Sequence, residues 1–375
     1  MNLVIRGQVG AKHMDVGIED GRITTIGEAS SSSLVGSATI DTGGRLLPGY
    51  IDVHVHGGGG AEVMLGTEDA YEQICKIHAQ HGTTGLLLTT VTAADEQIER
   101  ALRNYHPGVQ PDGAEILGFH LEGPFICVKK AGAQPKEHIQ APSVEKLQRW
   151  MKASGGTIRY MTLAPDVPDA LAVVAEARRM GIKVAAGHSA ATYAQAKEGF
   201  AAGIESVTHL YNAMSGLHHR DPGLLGAALT TKDVYAELIA DRLHVHDAAM
   251  QLAFQAKGLD RMMLITDAVM AACMPEGVHF KVSGQRVLVE NGAVRLPDGT
   301  LAGSTLTLDR AVKNLLDLGI LTPDDVQHVT SLNQARFLSL PHGRLEVGAP
   351  ANLIAVDAEW NVTHTIVRGR LVYQG

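Results

Sequence analysis

The sequence predicts a parallel (β/α)8 barrel of TIM type, accompanied by a small β-sandwich domain formed by both chain termini. Three observations predict it. Apolar runs of strand length alternate with helical patterns through the middle of the chain, as a parallel barrel requires. The two ends read instead as short strands joined by tight turns. Residues suited to metal ligation recur where the central apolar runs end, which is where such a barrel carries its chemistry.

At the N-terminal end, Asn2 to Arg6 is strand-like and Asp15 to Glu19 alternates. Asp20-Gly21 is a hairpin turn before Arg22 to Ile26, and a small-polar loop follows at Ser30 to Ser33. The other end returns to this style. Asn352 to Val356 and Val362 to Val367 are strand-like, and an Arg368-Gly369 turn leads into Leu371 to Tyr373. The expected division is a β domain of 1–47 plus 346–375 and a barrel of 48–345.

In the middle, the expected barrel strands are Ile51–Val55, Thr84–Leu88, Ile116–Leu121, Arg159–Leu163, Lys183–Ala186, Ser206–Thr208, Ala236–Ala240 and Met262–Thr266. Helical patterns lie between them at Asp69 to Gln80, Asp95 to Asn104, Val144 to Ala153, Pro168 to Met180 and Thr192 to Ala202. A doubly wound sheet is the rival reading of the same alternation. After the eighth strand, Arg286 to Leu296 reads as a β-hairpin with an Asn291-Gly292 turn, an insertion near 285–298.

Composition narrows the function classes. Of 375 residues, 45% are hydrophobic and 19% charged, so a large core is expected and wholesale disorder is not. A net charge of −8 argues against non-specific binding to nucleic acid. No apolar run approaches the length of a membrane span. The start, Met1 to Arg6, lacks a basic segment followed by an apolar one, so no signal peptide is expected. Cys75, Cys127 and Cys273 are too few and scattered for a disulfide framework, which points to the reducing cytoplasm.

The strand ends carry the chemistry. The first expected strand ends His54-Val55-His56, the third Leu121-Glu122-Gly123, the fifth Gly187-His188, the sixth Thr208-His209 and the eighth Thr266-Asp267. Positions i and i+2 of a strand face the same way, so His54 and His56 point together. Neutral imidazoles and carboxylates suit zinc, iron and similar divalent ions. A single His-x-His or a single strand-end Asp is more often structural, but five such ends converging on one mouth are hard to explain that way. The Gly57 to Gly60 run lacks the Lys-Ser/Thr of a P-loop, and reads either as a close backbone approach to a ligand or metal or as a plain loop. No G-x-S-x-G elbow anchors a serine triad. Cys127 has no obvious base beside it and reads as a small buried hydrophobe. Asn212-Ala213, Arg220 and His244 lie on the loops after strands six and seven, where barrels often hold phosphate; a solvated polar loop is the other reading.

These segments resemble the N-acetylglucosamine-6-phosphate deacetylases of the amidohydrolase superfamily over essentially the whole chain. The likeness rests on Pro48 to Gly57, His120-Leu121-Glu122-Gly123-Pro124-Phe125, Gly187-His188-Ser189, Thr208 to Met214, Ala240 to Val245, Thr266-Asp267-Ala268 and Leu301 to Thr307. His-Leu-Glu-Gly-Pro-Phe and Thr-His-Leu-Tyr-Asn-Ala-Met are the more family-specific of these. The resemblance implies that Glu122, His188 and His209 hold the core metal, and that His54 and His56 supply a second site with Glu122 between the two. Asp267 would be a metal ligand and the catalytic acid/base. The metal would be one or two divalent ions per chain, Zn2+ or Fe2+ first, with Mn2+ and Co2+ as alternatives. Asn212, Ala213, Arg220 and His244 would bind the sugar phosphate, with contacts across a homodimer interface. Leu301, Ala302 and Gly303 would line the sugar pocket. Where some members carry His, this chain reads Ala133-Gln134, and Gln134 would hydrogen-bond a sugar or phosphate oxygen without charge.

The implied reaction is hydrolysis of the acetamide of N-acetyl-D-glucosamine 6-phosphate, in amino-sugar catabolism and cell-wall sugar recycling. Another amidohydrolase, acting on a cyclic amide or an N-acyl amino acid, would use the same ligand set. A non-catalytic sugar-phosphate sensor would be expected to have lost a ligand or Asp267, and neither is lost.

Overall fold

A computed structural model describes residues 3–29, 38–105, 111–275, 279–282 and 284–375. The loop expected at Ser30 to Ser33 lies outside them. Eight parallel strands pair in chain order: Tyr50–Val55, Thr83–Thr90, Glu115–Glu122, Ile158–Leu163, Lys183–Ala186, Ser206–Val207, Tyr235–Ile239 and Met262–Ile265. The last returns to the first just beyond its end. Val55 bridges Ala268 in parallel, the Asp267 N–H donates to the His54 carbonyl at 3.0 Å, and the His56 N–H donates to Ala268 at 2.8 Å. The closure therefore joins three predicted ligands by backbone hydrogen bonds.

Strands covered on both faces need near-continuous apolar sequence. Leu86, Leu87 and Leu88 meet that need and are fully buried, each contributing about 1.5–3 kcal/mol. Three barrel helices begin where a Ser or Thr side chain caps them. Thr67 accepts from the Ala70 N–H at 3.3 Å and opens Glu68–Ala79; Ser143 accepts from the Lys146 N–H at 3.2 Å and opens Val144–Ala153. Thr192 and Gln195 cap Tyr193–Ala202 reciprocally. These helices and Asp95–Arg103 and Ala170–Arg179 lie within about two residues of the sequence-predicted bounds, the usual fraying of an end.

Strands from both chain ends form one seven-stranded sheet. Its centre is Ala38–Pro48, which pairs in parallel with Leu3–Val9 and antiparallel with Leu353–Val356. This strand was not among those expected from the sequence. The sheet tolerates it with a register shift opposite Arg6 and Gln8. Gly49 alone then separates this strand from the barrel. A Cβ there would lie 2.1 Å from the Thr84 methyl, so the crossing requires glycine. Arg368 and His342 clamp Glu115, at the start of the third barrel strand, across the seam. Burial opposes ionisation of Glu115, but His342 and Arg368 bring its pKa down to about 2.

The expected hairpin is part of a four-stranded antiparallel sheet: His279–Val282, Gln285–Glu290, Ala293–Arg295 and Leu301–Ser304. Val287, Val289, Val294 and Ala302 pack on Val269 and Ala271, in the segment that follows Asp267. The insertion is thus anchored directly beside the strand-end cluster. No helix among the described residues is long and apolar enough to cross a membrane.

Candidate active site

The strand ends deliver the predicted ligands to one point. Glu122 Oε1 lies 3.1 Å from both His188 Nε2 and His209 Nε2. Its Oε2 lies 3.2 Å from His56 Nε2. Asp267 Oδ1 is 3.2 Å from His56 Nε2 and 3.5 Å from His54 Nε2. Two three-ligand groups result, Glu122 with His188 and His209, and His54 with His56 and Asp267. Glu122 touches both. His188, His209 and Asp267 have φ of 46°, 32° and 50°, so each side chain is aimed by a left-handed turn at its strand end. Such backbone costs on the order of 1 kcal/mol or more per residue and is held by its surroundings.

The outer nitrogens of the imidazoles set their tautomers. His54 Nδ1 is 3.1 Å from Glu237 Oε2, His56 Nδ1 is 3.2 Å from the Thr89 carbonyl, and His188 Nδ1 is 2.9 Å from the Lys130 carbonyl. Each Nδ1 faces an acceptor and so carries the hydrogen, which turns the Nε2 lone pair inward. Inward-facing nitrogens then crowd: His54 and His56 Nε2 are 3.2 Å apart, and His188 and His209 Nε2 are 3.1 Å apart. The lone pairs of His54 and His56 face each other at that separation, an arrangement that a cation between them relieves. Borderline nitrogen donors with bridging carboxylate oxygens suit a divalent transition metal.

The electrostatics agree. Burial opposes protonation of His54, but Glu122, Asp267 and Glu237 overcome it and hold its pKa well above the usual value. Burial likewise opposes the proton on His56, and Asp267 and Glu122 raise it to about 9. Burial also opposes ionisation of Glu122 and Asp267, yet the surrounding imidazoles push both carboxyls below their ordinary range. The cluster demands positive charge, and protons supply it when nothing else does.

A cavity of about 420 Å³ opens above the cluster. His56, Glu122, His188, His209 and Asp267 form its inner end, while His54 is completely buried beneath. Ala133, Gln134, Asn212, Ala213, His244, Leu301, Ala302 and Gly303 line it as the sequence predicts. Arg220 does not. It is exposed, and its guanidinium sits 2.9 Å from His219 Nε2. The long loop after strand six carries it away from its own chain's cavity. Gln134 also differs in detail: its Nε2 donates to Glu122 Oε2 at 2.5 Å and its Oε1 accepts from the Thr92 N–H at 2.8 Å, so it braces the bridging carboxylate. The Gly57 to Gly60 run approaches backbone rather than the cavity. The N–H groups of Gly57, Gly59 and Gly60 donate to Ala268, Ala272 and Met270, and a Cβ at Gly57 would lie 2.3 Å from the Ala61 carbonyl. Cys127, expected to be buried, is half-buried.

A model of the family described as Amidohydrolase family matches residues 45–372. The chain belongs to the amidohydrolase family. It is 38% identical over 371 residues to the N-acetylglucosamine-6-phosphate deacetylase of Lysinibacillus sphaericus, covering 97% of this chain and 94% of that one. It is 40% identical over 330 residues to the N-acetylgalactosamine-6-phosphate deacetylase of Escherichia coli O157:H7, covering 87% of each. Among solved structures, it resembles a variant of the Mycobacterium smegmatis N-acetyl-D-glucosamine-6-phosphate deacetylase in complex with N-acetyl-D-glucosamine-6-phosphate. That likeness has a TM-score of 0.91 at 30% identity, over 100% of this chain and 99% of that one.

Sequence reasoning missed several residues of this amidohydrolase site. Glu237 is fully buried on the seventh strand, where its Oε2 faces His54 Nδ1 and accepts the His209 N–H at 3.1 Å. Its place mid-strand, two residues before the end, gave no sign. Asp52 accepts from Thr266 Oγ1 at 2.6 Å and from the His54 N–H at 3.1 Å. Burial raises Asp52 to about 7, with Thr266 and His54 limiting the rise. His120 is buried below the cluster, stacked on Tyr160 and bonded to Thr162 Oγ1 at 2.8 Å. Burial first, then neighbouring histidines, keep it neutral. Arg295, Gln285 and Thr300 of the insertion line the cavity, and only their tertiary position reveals them.

Proposed function

We propose that this amidohydrolase hydrolyses the acetamide of N-acetyl-D-glucosamine 6-phosphate, giving D-glucosamine 6-phosphate and acetate, in amino-sugar catabolism and cell-wall sugar recycling. The observation that carries the reading is the joined pair of ligand groups beneath one cavity, with Asp267 in its wall. Glu122, His188 and His209 would hold one divalent ion, and His54, His56 and Asp267 a second. Zinc or iron is the first choice, with manganese or cobalt as alternatives. When bound, the metal supplies Lewis acidity, which acidifies water and polarises a carbonyl.

The chain's own residues do the rest. Asp267 accepts the proton of the attacking water and returns it to the departing amine nitrogen. Gln134, His54 and Glu237 hold the surrounding ligands in register through the contacts given above. The cavity takes the sugar, and Leu301 to Gly303 line its side. Asn212, Ala213 and His244 belong to the phosphate end, where binding energy remote from the amide positions the acetyl group. Arg220, exposed and off this cavity, would serve a second copy in a homodimer. The proposed compartment is the cytoplasm.

The test is acetate release from a panel: N-acetylglucosamine 6-phosphate, its C4 epimer N-acetylgalactosamine 6-phosphate, both sugars without phosphate, and an N-acyl amino acid. The reading expects the first to have the highest kcat/KM. Equal kcat/KM with and without phosphate would return the choice to another amidohydrolase activity.

A further inference from the structure

The outer end of the cavity must recognise a phosphate dianion if the proposed function holds, and the inference below rests on that reading. Among the described residues, one lysine or arginine lines the cavity wall, and it is Arg295. This residue ends the third strand of the inserted sheet, Ala293–Arg295. The tight turn that follows fixes its surroundings. The Leu296 N–H donates to the Thr300 carbonyl at 2.8 Å, and the Gly299 N–H donates to the Leu296 carbonyl at 2.9 Å. Arg295 Nη1 donates to the Gly299 carbonyl at 2.8 Å, which orients the guanidinium plane. That bond uses one of five N–H donors.

Arg295 has no carboxylate partner among the described residues. Other arginines near acids are paired, as Arg242 is with Asp247 and Arg368 with Glu115. An unpaired guanidinium at the wall of a cavity is available to an anion. His244 lines the same cavity. Only 6% of the His244 side chain is exposed, and its Nδ1 is 2.6 Å from Asp241 Oδ2. Burial opposes a proton on His244, Asp241 and then Asp267 favour one, and the charge of Arg295 disfavours it, so the two groups are close enough to repel. A dianion between two such donors removes that repulsion.

We propose that Arg295 binds the substrate phosphate from within the same chain, together with His244, and so sets the preference for phosphorylated sugars. The inserted sheet then has a direct role, because it carries the cation over the cavity. Gln285 ties the same sheet to the opposite loop by donating to the Ala133 carbonyl at 2.8 Å. A planar fork with several remaining donors suits phosphate better than a point charge.

The experiment compares metal-loaded, full-length wild type with Arg295→Ala and Arg295→Lys. Acetate release is measured on N-acetylglucosamine 6-phosphate and on N-acetylglucosamine. Arg295→Ala is expected to lower kcat/KM for the phosphorylated sugar by about ten- to a hundred-fold, the effect of one lost charge-assisted contact. The rate on the unphosphorylated sugar should change by less than about two-fold, because that contact is absent there. Arg295→Lys should recover part of the loss. Binding of inorganic phosphate, measured by calorimetry on the same proteins, provides a readout independent of turnover, and its dissociation constant should rise in Arg295→Ala. If wild type prefers the phosphorylated sugar and Arg295→Ala keeps that preference, the role of Arg295 is overturned while the deacetylase reading stands. If wild type shows no preference, both fall. A uniform loss on both sugars in Arg295→Ala, unrelieved in Arg295→Lys, also overturns the role, since it marks damage to the fold.

Discussion

The two ends of the cavity are built on different principles. The inner end is made of buried strand termini, and His54, His56 and His188 are each braced at Nδ1 by a second residue. The outer end is made of loops and a small inserted sheet, with Arg295 exposed and Thr300 half-buried. Rigid, dry ligands suit chemistry that needs fixed geometry and strong fields. Wetter and more adaptable groups suit recognition of a substrate's remote part. Changes at the inner end should therefore fall on kcat and metal content, and changes at the outer end on KM and substrate preference.

The largest expected effect is at Glu122, which touches both ligand groups. Glu122→Ala should reduce turnover on the order of a thousand-fold or more, since Lewis-acid stabilisation is worth several kcal/mol. Elemental analysis should find less metal per chain. Full metal content together with near-normal kcat would remove Glu122 from the centre.

Asp267→Asn comes next. Asn is nearly isosteric but cannot accept the proton, so kcat should fall by about a hundred- to ten-thousand-fold. Retention of wild-type kcat in a folded, metal-loaded preparation would exclude the acid/base role.

Glu237→Gln tests whether a residue outside the cavity matters through His54. Loss of the carboxylate behind a ligating imidazole costs about ten- to a hundred-fold in metal affinity or activity. Zinc titration with a competing chelator reads this directly. An unchanged affinity would reduce Glu237 to a packing role.

The smallest effect belongs to the outer end. Gln285→Ala removes the tie between the inserted sheet and the Ala133 loop. It should raise KM by about two- to ten-fold, the value of one ordinary hydrogen bond, and leave kcat nearly unchanged. A drop in kcat with constant KM would show that the two ends are not separable as described.

The same division explains what could be read from the sequence. His54, His56, Glu122, His188, His209 and Asp267 each follow an apolar run, so strand periodicity alone put them on one mouth. The structure brings all six together as two adjoining ligand groups. Glu237 escaped because a buried carboxylate inside a strand leaves no mark of its partner in the sequence. Ala38–Pro48 escaped because its glycines mimic a turn, and only the neighbouring strands select the extended form. Arg295 escaped because an arginine at a hairpin's end is usually solvated, and its place over the cavity depends on how the inserted sheet packs on Val269 and Ala271. Arg220, expected at the phosphate with contacts across a homodimer interface, is exposed and off its own chain's cavity, so one chain's sequence could not show which copy it serves.

The central claim is that the joined ligand groups make a metal-dependent hydrolytic centre. Acetate release from N-acetylglucosamine 6-phosphate, followed through chelation and zinc return with metal content measured at each stage, tests it most directly. His54 and His56 hold their protons tightly without metal, His56 up to about 9. Ions must displace those protons, so affinity should rise as pH increases toward 9, and zinc return should release protons. Turnover should disappear with the metal and return in proportion to the ions rebound. Undiminished turnover by protein whose metal content is near zero would contradict it.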